Sequence, residues 1–138
     1  MRIRRARIAD VPKLASMNAN IFRDKNVAQV RRVFSSALKS LPSACLVAEE
    51  KGEIAGAIIA EKRLAFVPRA AFITSFFVKK AWRGKGVGKV LFERCLAGMK
   101  KAGIKSITLT VKSKNKKALG LYKKSGFRPF RLLLLRKF

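Results

Sequence analysis

There is no histidine anywhere in the 138 residues, which removes every mechanism built on an imidazole, from His-activated nucleophiles to His-ligated zinc or iron. The two cysteines, Cys45 and Cys95, are too far apart for a CxxC metal or redox pair and too few for a disulfide framework. They read as small buried apolar residues in a reducing compartment. Acidic side chains are scarce, with seven Asp and Glu against 33 Lys and Arg. No apolar run reaches the ~20 residues of a membrane span, and the basic start MRIRRARIADVPKL lacks the apolar stretch of a secretory signal. The expectation is a cytoplasmic protein with no membrane attachment and no metal.

What is present is enough to fold. Hydrophobic residues make up 49% of the chain, and the length suits one domain over residues 1–138 with a single packed core. The net charge of +26 is unevenly placed: residues 79–138 hold nineteen basic side chains and one acid, Glu93. Such a field concentrates polyanions and repels polycations, so phosphorylated cofactors and nucleic acids fit as partners, whereas polyamines and Lys-rich tails do not. Lys112, Lys114, Lys116, Lys117, Lys123 and Lys124 exceed what a small phosphorylated ligand needs, so RNA or a ribonucleoprotein is a further expected partner.

No internal repeat or linker interrupts the pattern. Arg2 to Ile8 alternates like a strand, Asp10 reads as the N-cap of a helix running through Phe22, and Val27 to Lys39 shows helical spacing. Ala44–Ala48 and Glu53–Lys62 read as strands joined by a tight turn at Glu50-Lys51-Gly52, and Ala71–Val78 is dense in aromatic and β-branched residues. A glycine-rich loop follows, then a helix through Leu91, Cys95, Leu96 and Met99 that ends at Gly103. Ser106–Val111 reads as a strand, Asn115–Ser125 as a helix closed by Gly126, and Phe127–Phe138 as a last extended piece. The order predicts an α+β fold with a mixed, mostly antiparallel sheet.

The loop Arg83-Gly84-Lys85-Gly86-Val87-Gly88 lies between a strand and a helix, where bare backbone N–H groups meet the positive end of the helix dipole and suit an anion. It is neither GxxxxGK[ST] nor GxGxxG, because the third glycine position of the latter is Lys89. The stretch Phe76 to Gly88 resembles motif A of the GNAT acyl-CoA N-acyltransferases, with Arg83, Gly86 and Gly88 at the R/Q-x-x-G-x-G/A positions. Downstream, Asn115, Ala118, Leu121, Tyr122, Gly126 and Phe127 resemble the family's N-x-x-A-x-x-L-Y-x-x-x-G-F motif. Two motifs agree in order and spacing, and the order of elements agrees with them.

The resemblance implies a GNAT-type sheet with helices on both faces, splayed at the cofactor site, and direct transfer of an acetyl group from acetyl-CoA to an amine acceptor without a metal, the alternative being a catalytically weak module of the same fold that binds nucleic acid or ribonucleoprotein through its basic surface. Backbone amides from Arg83 to Lys89 (Arg83, Gly84, Lys85, Gly86, Val87, Gly88 and Lys89) would cradle the pyrophosphate. Phe76, Phe77 and Val78 would pair with the pantetheine arm and supply an oxyanion donor, and Asn115 would reach the arm from the other side. Tyr122 would protonate the leaving thiolate, a phenol of pKa about 10 serving a thiol near 8.5. The chain departs from the family in two places. Phe72 and Thr110 stand where many members carry a carboxylate base, which leaves Glu61 as the nearest candidate base, the alternative being an exposed strand-end carboxylate paired with Lys62 or Arg63. Only twelve residues follow Gly126, so the acceptor side is expected to be open or completed by a second subunit, with Leu132 to Leu135 on an edge strand that needs cover.

Overall fold

The computed structural model describes residues 1–22, 26–63 and 67–138. Five strands form one sheet in the order β1-β2-β3-β4-β5: Arg2–Arg5, Leu46–Glu50, Glu53–Arg63, Ala70–Val78 and Ser106–Thr108. The first three pairings are antiparallel and β4–β5 is parallel, which makes the sheet mixed as the pattern of elements predicts. Helices α1 (Val11–Phe22) and α2 (Val27–Ser40) cover one face, whereas α3 (Val87–Lys101) and α4 (Lys116–Lys124) pack on the other.

Two apolar layers follow from alternation along the strands. Val47, Ala57, Ile59 and Phe77 meet Leu14, Phe34 and Leu38 on the α1/α2 side. Leu46, Ile58, Ala60 and Ile73 meet Leu91, Phe92, Cys95 and Met99 on the α3 side. Side chains of successive strand residues point to opposite faces, so a strand buried on both sides must be apolar throughout; β3 is buried from Ile54 to Ala60 for this reason. Cys45 and Cys95 are free and buried in different layers, and burial lifts their thiols to about 11 and about 12 respectively.

Several expected boundaries move. The first strand stops at Arg5, because Ile8–Asp10 forms a 3-10 turn that runs straight into α1. Asp10 is therefore not the N-cap of α1; its carboxylate accepts from the Arg7 backbone N–H at 2.7 Å and from Arg4 at 2.8 and 3.0 Å. Pro42–Ala44 is likewise a 3-10 turn, which delays β2 to Leu46. In the β2–β3 hairpin both Lys51 (φ 49°) and Gly52 (φ 78°) are left-handed, as a two-residue turn matched to strand twist requires.

The largest departures lie at the C-terminal end. Only Ser106–Thr108 of the expected Ser106–Val111 strand pairs with β4. Phe127–Phe138 forms no strand, and Leu132 to Leu135 are 81–84% exposed. Periodicity reports which residues want an apolar neighbour and says nothing of whether a pairing edge is within reach.

Candidate active site

Strands β4 and β5 part company after three residues. Ala70, Ala71 and Phe72 pair with Ser106, Ile107 and Thr108, and beyond that point the β5-side edge of β4 from Ile73 to Val78 has no strand partner among the described residues. Phe76, Phe77 and Val78 lie in this unpaired half, where backbone N–H and C=O groups are open to an extended guest. Phe77 is buried toward α1 and α2, whereas Phe76 and Val78 face the α3 layer.

The loop that follows β4 is held open by its glycines. Gly84 and Gly86 have φ of 74° and 80°, the left-handed region that costs an L-residue roughly 1–2 kcal/mol. A Cβ placed on either meets no atom within 4 Å beyond its chain neighbours, so the room beside both glycines is open. Gly86 is the N-cap of α3, and the first backbone bond of that helix runs from Val90 N–H to Gly86 O at 3.1 Å. The amides of Val87, Gly88 and Lys89 are thus the unpaired donors that every helix start leaves over. They fit a pyrophosphate through donor chemistry and helix dipole alike.

The charged side chains around the loop are less committed to that guest than their position suggests. Arg83 Nε donates to the Val78 carbonyl at 2.9 Å, tying the loop to the end of β4. Lys85 Nζ lies 5.1 Å from the centre of the Trp82 ring. Lys89 faces Glu93 at 3.9 Å across a solvated helix surface, a pairing worth little in water.

Tyr122 is carried by α4, whose start Asn115 fixes: its Oδ1 accepts from Ala118 N–H at 3.2 Å. That leaves the Asn115 amide NH2 for other partners. The Tyr122 ring packs against Phe92 at 5.4 Å and Phe127 at 6.1 Å, and Phe92 stacks on Phe76 at 5.6 Å. A chain of aromatic contacts thereby ties α4 to β4 across the splay. Burial pushes the Tyr122 phenol above its usual value, which keeps it a proton donor at neutral pH.

Glu61 sits directly opposite Phe72 in the β3–β4 ladder, level with the closed end of the splay. It forms no ion pair with Lys62 or Arg63, because the Arg63 guanidinium lies over the Phe72 ring at 4.1 Å instead. Residues paired across an antiparallel ladder share a face, so Glu61 is on the α1/α2 side and Tyr122 on the α3/α4 side. Phe72 is half-buried and Thr110 exposed.

Two site-adjacent residues escape sequence reasoning. A register shift between Ile59 and Ala60 makes Thr74 an extra residue in β4, a bulge of the kind that re-aims side chains. Thr74 Oγ1 is buried and has no hydrogen-bond partner. Its neighbour Ser75 is buried and donates to Asn18 Oδ1 of α1 at 2.7 Å. The signal was the polar pair inside the apolar run AFITSFFV, whose meaning depends on a bulge that no spacing rule announces.

Residues 13–127 match the family model of the GNAT acetyltransferases. The chain belongs to the GNAT family. It is similar to an N-alpha-acetyltransferase of Sulfurisphaera tokodaii, 29% identical over 96% of this chain and 83% of that protein, and to an Arabidopsis thaliana protein named N-alpha-acetyltransferase MAK3, 31% identical over 62% of this chain and 45% of that protein. Its fold superimposes on a predicted acetyltransferase of Clostridium acetobutylicum solved with acetyl-CoA, with a TM-score of 0.78, 19% identity and coverage of 99% and 95% of the two chains. GNAT enzymes use acetyl-CoA as acyl donor and an amine as acceptor, and this chain is a GNAT-type N-acetyltransferase. Among the described residues no cluster of three or more His, Cys, Asp or Glu side chains could hold a metal ion.

Proposed function

We propose that this GNAT enzyme acetylates the α-amine at the N-terminus of a polypeptide. The observation that carries the reading is the missing carboxylate: Phe72 stands on β4 and Thr110 beyond β5, and the acid paired beside Phe72 is Glu61, one strand away. An α-amine has a pKa of about 7.7–8.0 and a lysine side chain about 10.4, so near pH 7.5 roughly a third of the former is neutral against about 0.1% of the latter. An acceptor already neutral to that extent needs little help from a base, and the cationic field of the chain favours its neutral form further. The names borne by the two relatives above support the same acceptor.

In this proposal the amides of Arg83 to Lys89 hold the pyrophosphate, with Lys85 and Lys89 adding charge, and the open edge from Phe76 to Val78 takes the pantetheine arm as Asn115 approaches it from the far side. One backbone N–H of that edge polarises the thioester carbonyl. The neutral amine attacks the carbonyl carbon, its proton passes to solvent or to Glu61, and Tyr122 protonates the thiolate as the C–S bond breaks. The reaction takes place in the cytoplasm, and the acceptor side is open or closed by a second copy of the chain. The exposed Leu132–Leu135 run supports the second of these, and a net charge of +26 suits an acceptor held in an RNA setting.

The test measures thiol release from acetyl-CoA with two peptides that differ at one internal position, one with a free N-terminus and no lysine, the other blocked at its N-terminus and carrying one lysine there. The first is expected to be acetylated at least 100-fold faster near neutral pH, following the ratio of neutral amine. Equal rates on the two peptides overturn the reading.

A further inference from the structure

At the end of α3 remote from the glycine loop lies a groove of about 860 Å³ between that helix and the β1–β2 edge of the sheet, with Arg5, Arg94, Lys100 and Lys101 on its walls. The lining on α3 runs from Arg94 to Lys101 and starts seven residues, or about 10 Å at 1.5 Å per residue, beyond Val87 at the helix start, so the groove shares no residue with the glycine loop. It exists because α3 packs over the central strands and leaves the same-side face of β1, Ile3 and Arg5, only partly covered.

The electrostatics of the groove are one-sided. The acids at this sheet edge are already taken: Asp10 and Glu49 both accept from Arg4, at 2.8 and 2.5 Å, and Glu50 pairs with the chain's amino terminus. The hydrogen bond from Arg4 holds the Asp10 carboxyl below its usual range, which marks it as a committed anion. Arg5, Arg94, Lys100 and Lys101 are exposed and form no ion pair among the described residues. Arg94 and Lys101 are seven residues apart, two turns along one helix face and about 10 Å in distance. Ala97 between them is small and exposed, whereas the space beside Gly98 is taken by the Ser43 backbone.

We infer that this groove binds the phosphate backbone of a nucleic-acid double helix. Four unpaired cations around one groove, with no acid in its lining, match a polyanion. All four are long, exposed cationic side chains, a set that suits positioning on phosphates. The lining contains no aromatic residue, and splayed single strands are held by stacking on aromatic rings. Strand addition by a polypeptide along β1 is disfavoured, because that strand offers four residues, three of them arginine, the composition that blunts an edge.

The test uses fluorescence anisotropy with short DNA and RNA duplexes of unrelated sequence over a range of salt concentrations, on the wild type and on the fourfold variant Arg5→Gln, Arg94→Gln, Lys100→Gln, Lys101→Gln. Wild-type affinity is expected to be independent of sequence, and the slope of log K against log salt on DNA should fall by about 3.6 in the variant, at about 0.9 for each phosphate no longer neutralised. Whichever duplex binds more tightly names the source of the backbone. The variant should keep the coenzyme A shift in melting temperature, since it leaves the glycine loop untouched. An unchanged slope overturns the proposal. So does an equal loss of slope in Lys112→Gln, Lys114→Gln, Lys116→Gln, Lys117→Gln, or competition by polyglutamate stronger than by unlabelled duplex. Should the fourfold variant fail to fold, lysine labelling of the wild type decides: a duplex must protect Lys100 and Lys101 more than Lys112 and Lys114, and equal protection refutes the site.

Discussion

Replacing Tyr122 with Phe deletes one oxygen atom and leaves the ring in place. The ring contacts to Phe92 at 5.4 Å and Phe127 at 6.1 Å survive the change, and the hydroxyl hydrogen-bonds no protein group among the described residues. The loss of stability should therefore stay within about 0.5 kcal/mol. The cost falls on the reaction. A positioned acid contributes about 10²–10⁴-fold, or roughly 2.7–5.5 kcal/mol at 1.36 kcal/mol per decade. Because the proton moves as the C–S bond breaks, the loss belongs to kcat and leaves the KM for acetyl-CoA nearly unchanged. Single-turnover thiol release under saturating acetyl-CoA reads the chemical step free of product release. Burial raises the Tyr122 phenol above its ordinary value, so the acid form persists through neutral pH and wild-type activity should show no loss on its account there. An acyl donor with a more acidic leaving thiol should shrink the difference between wild type and Tyr122→Phe, since a stable thiolate needs no proton. Wild-type rates in the variant, or an undiminished defect with the acidic thiol, would refute Tyr122 as the acid.

Two further outcomes test the loop and the sheet edge. Ligand at 100 times its Kd stabilises a protein by about 2.7 kcal/mol, which for a chain of this length is a rise of roughly 9 °C in Tm; Gly86→Glu, with its carboxylate in front of the α3 amides, should abolish that coenzyme A shift, and Gly86→Asn, which tolerates a φ of 80°, should keep most of it. The Asp10 carboxyl is depressed chiefly by the hydrogen bond from Arg4, so its contribution is present in full above the ordinary Asp value and is lost as pH falls through the lower folded one. Arg4→Met should therefore move the acid-unfolding midpoint to higher pH and cost about 1.5–3 kcal/mol near pH 7, the range for hydrogen bonds to charged groups; an unmoved midpoint by circular dichroism would show the pair to be idle.

The elements that local chemistry fixes were legible in advance. Val27–Ser40 and Val87–Lys101 carry their apolar residues at helical spacing, and glycines or a capping Asn mark where helices begin and end. The loop from Arg83 to Gly88 announced a helix-start anion site because left-handed glycines and unpaired amides are properties of a few consecutive residues. Asp10 misled because its carboxylate has other partners than the start of α1, the Arg7 backbone N–H of the preceding 3-10 turn and the Arg4 guanidinium six residues back.

By itself the sequence determined the charge, the missing imidazoles, the two motifs and thereby the family, since each is a matter of composition or short spacing. Only the tertiary structure decided how far β5 follows β4, that Thr74 falls on a bulge, that Glu61 faces Phe72 on the side of the sheet away from Tyr122, and that four cations from β1 and α3 line one groove. Strand register, bulges and the meeting of distant side chains depend on contacts between residues far apart in the chain. Their energies are set by what each strand finds opposite it, and a local pattern carries no information about that neighbour.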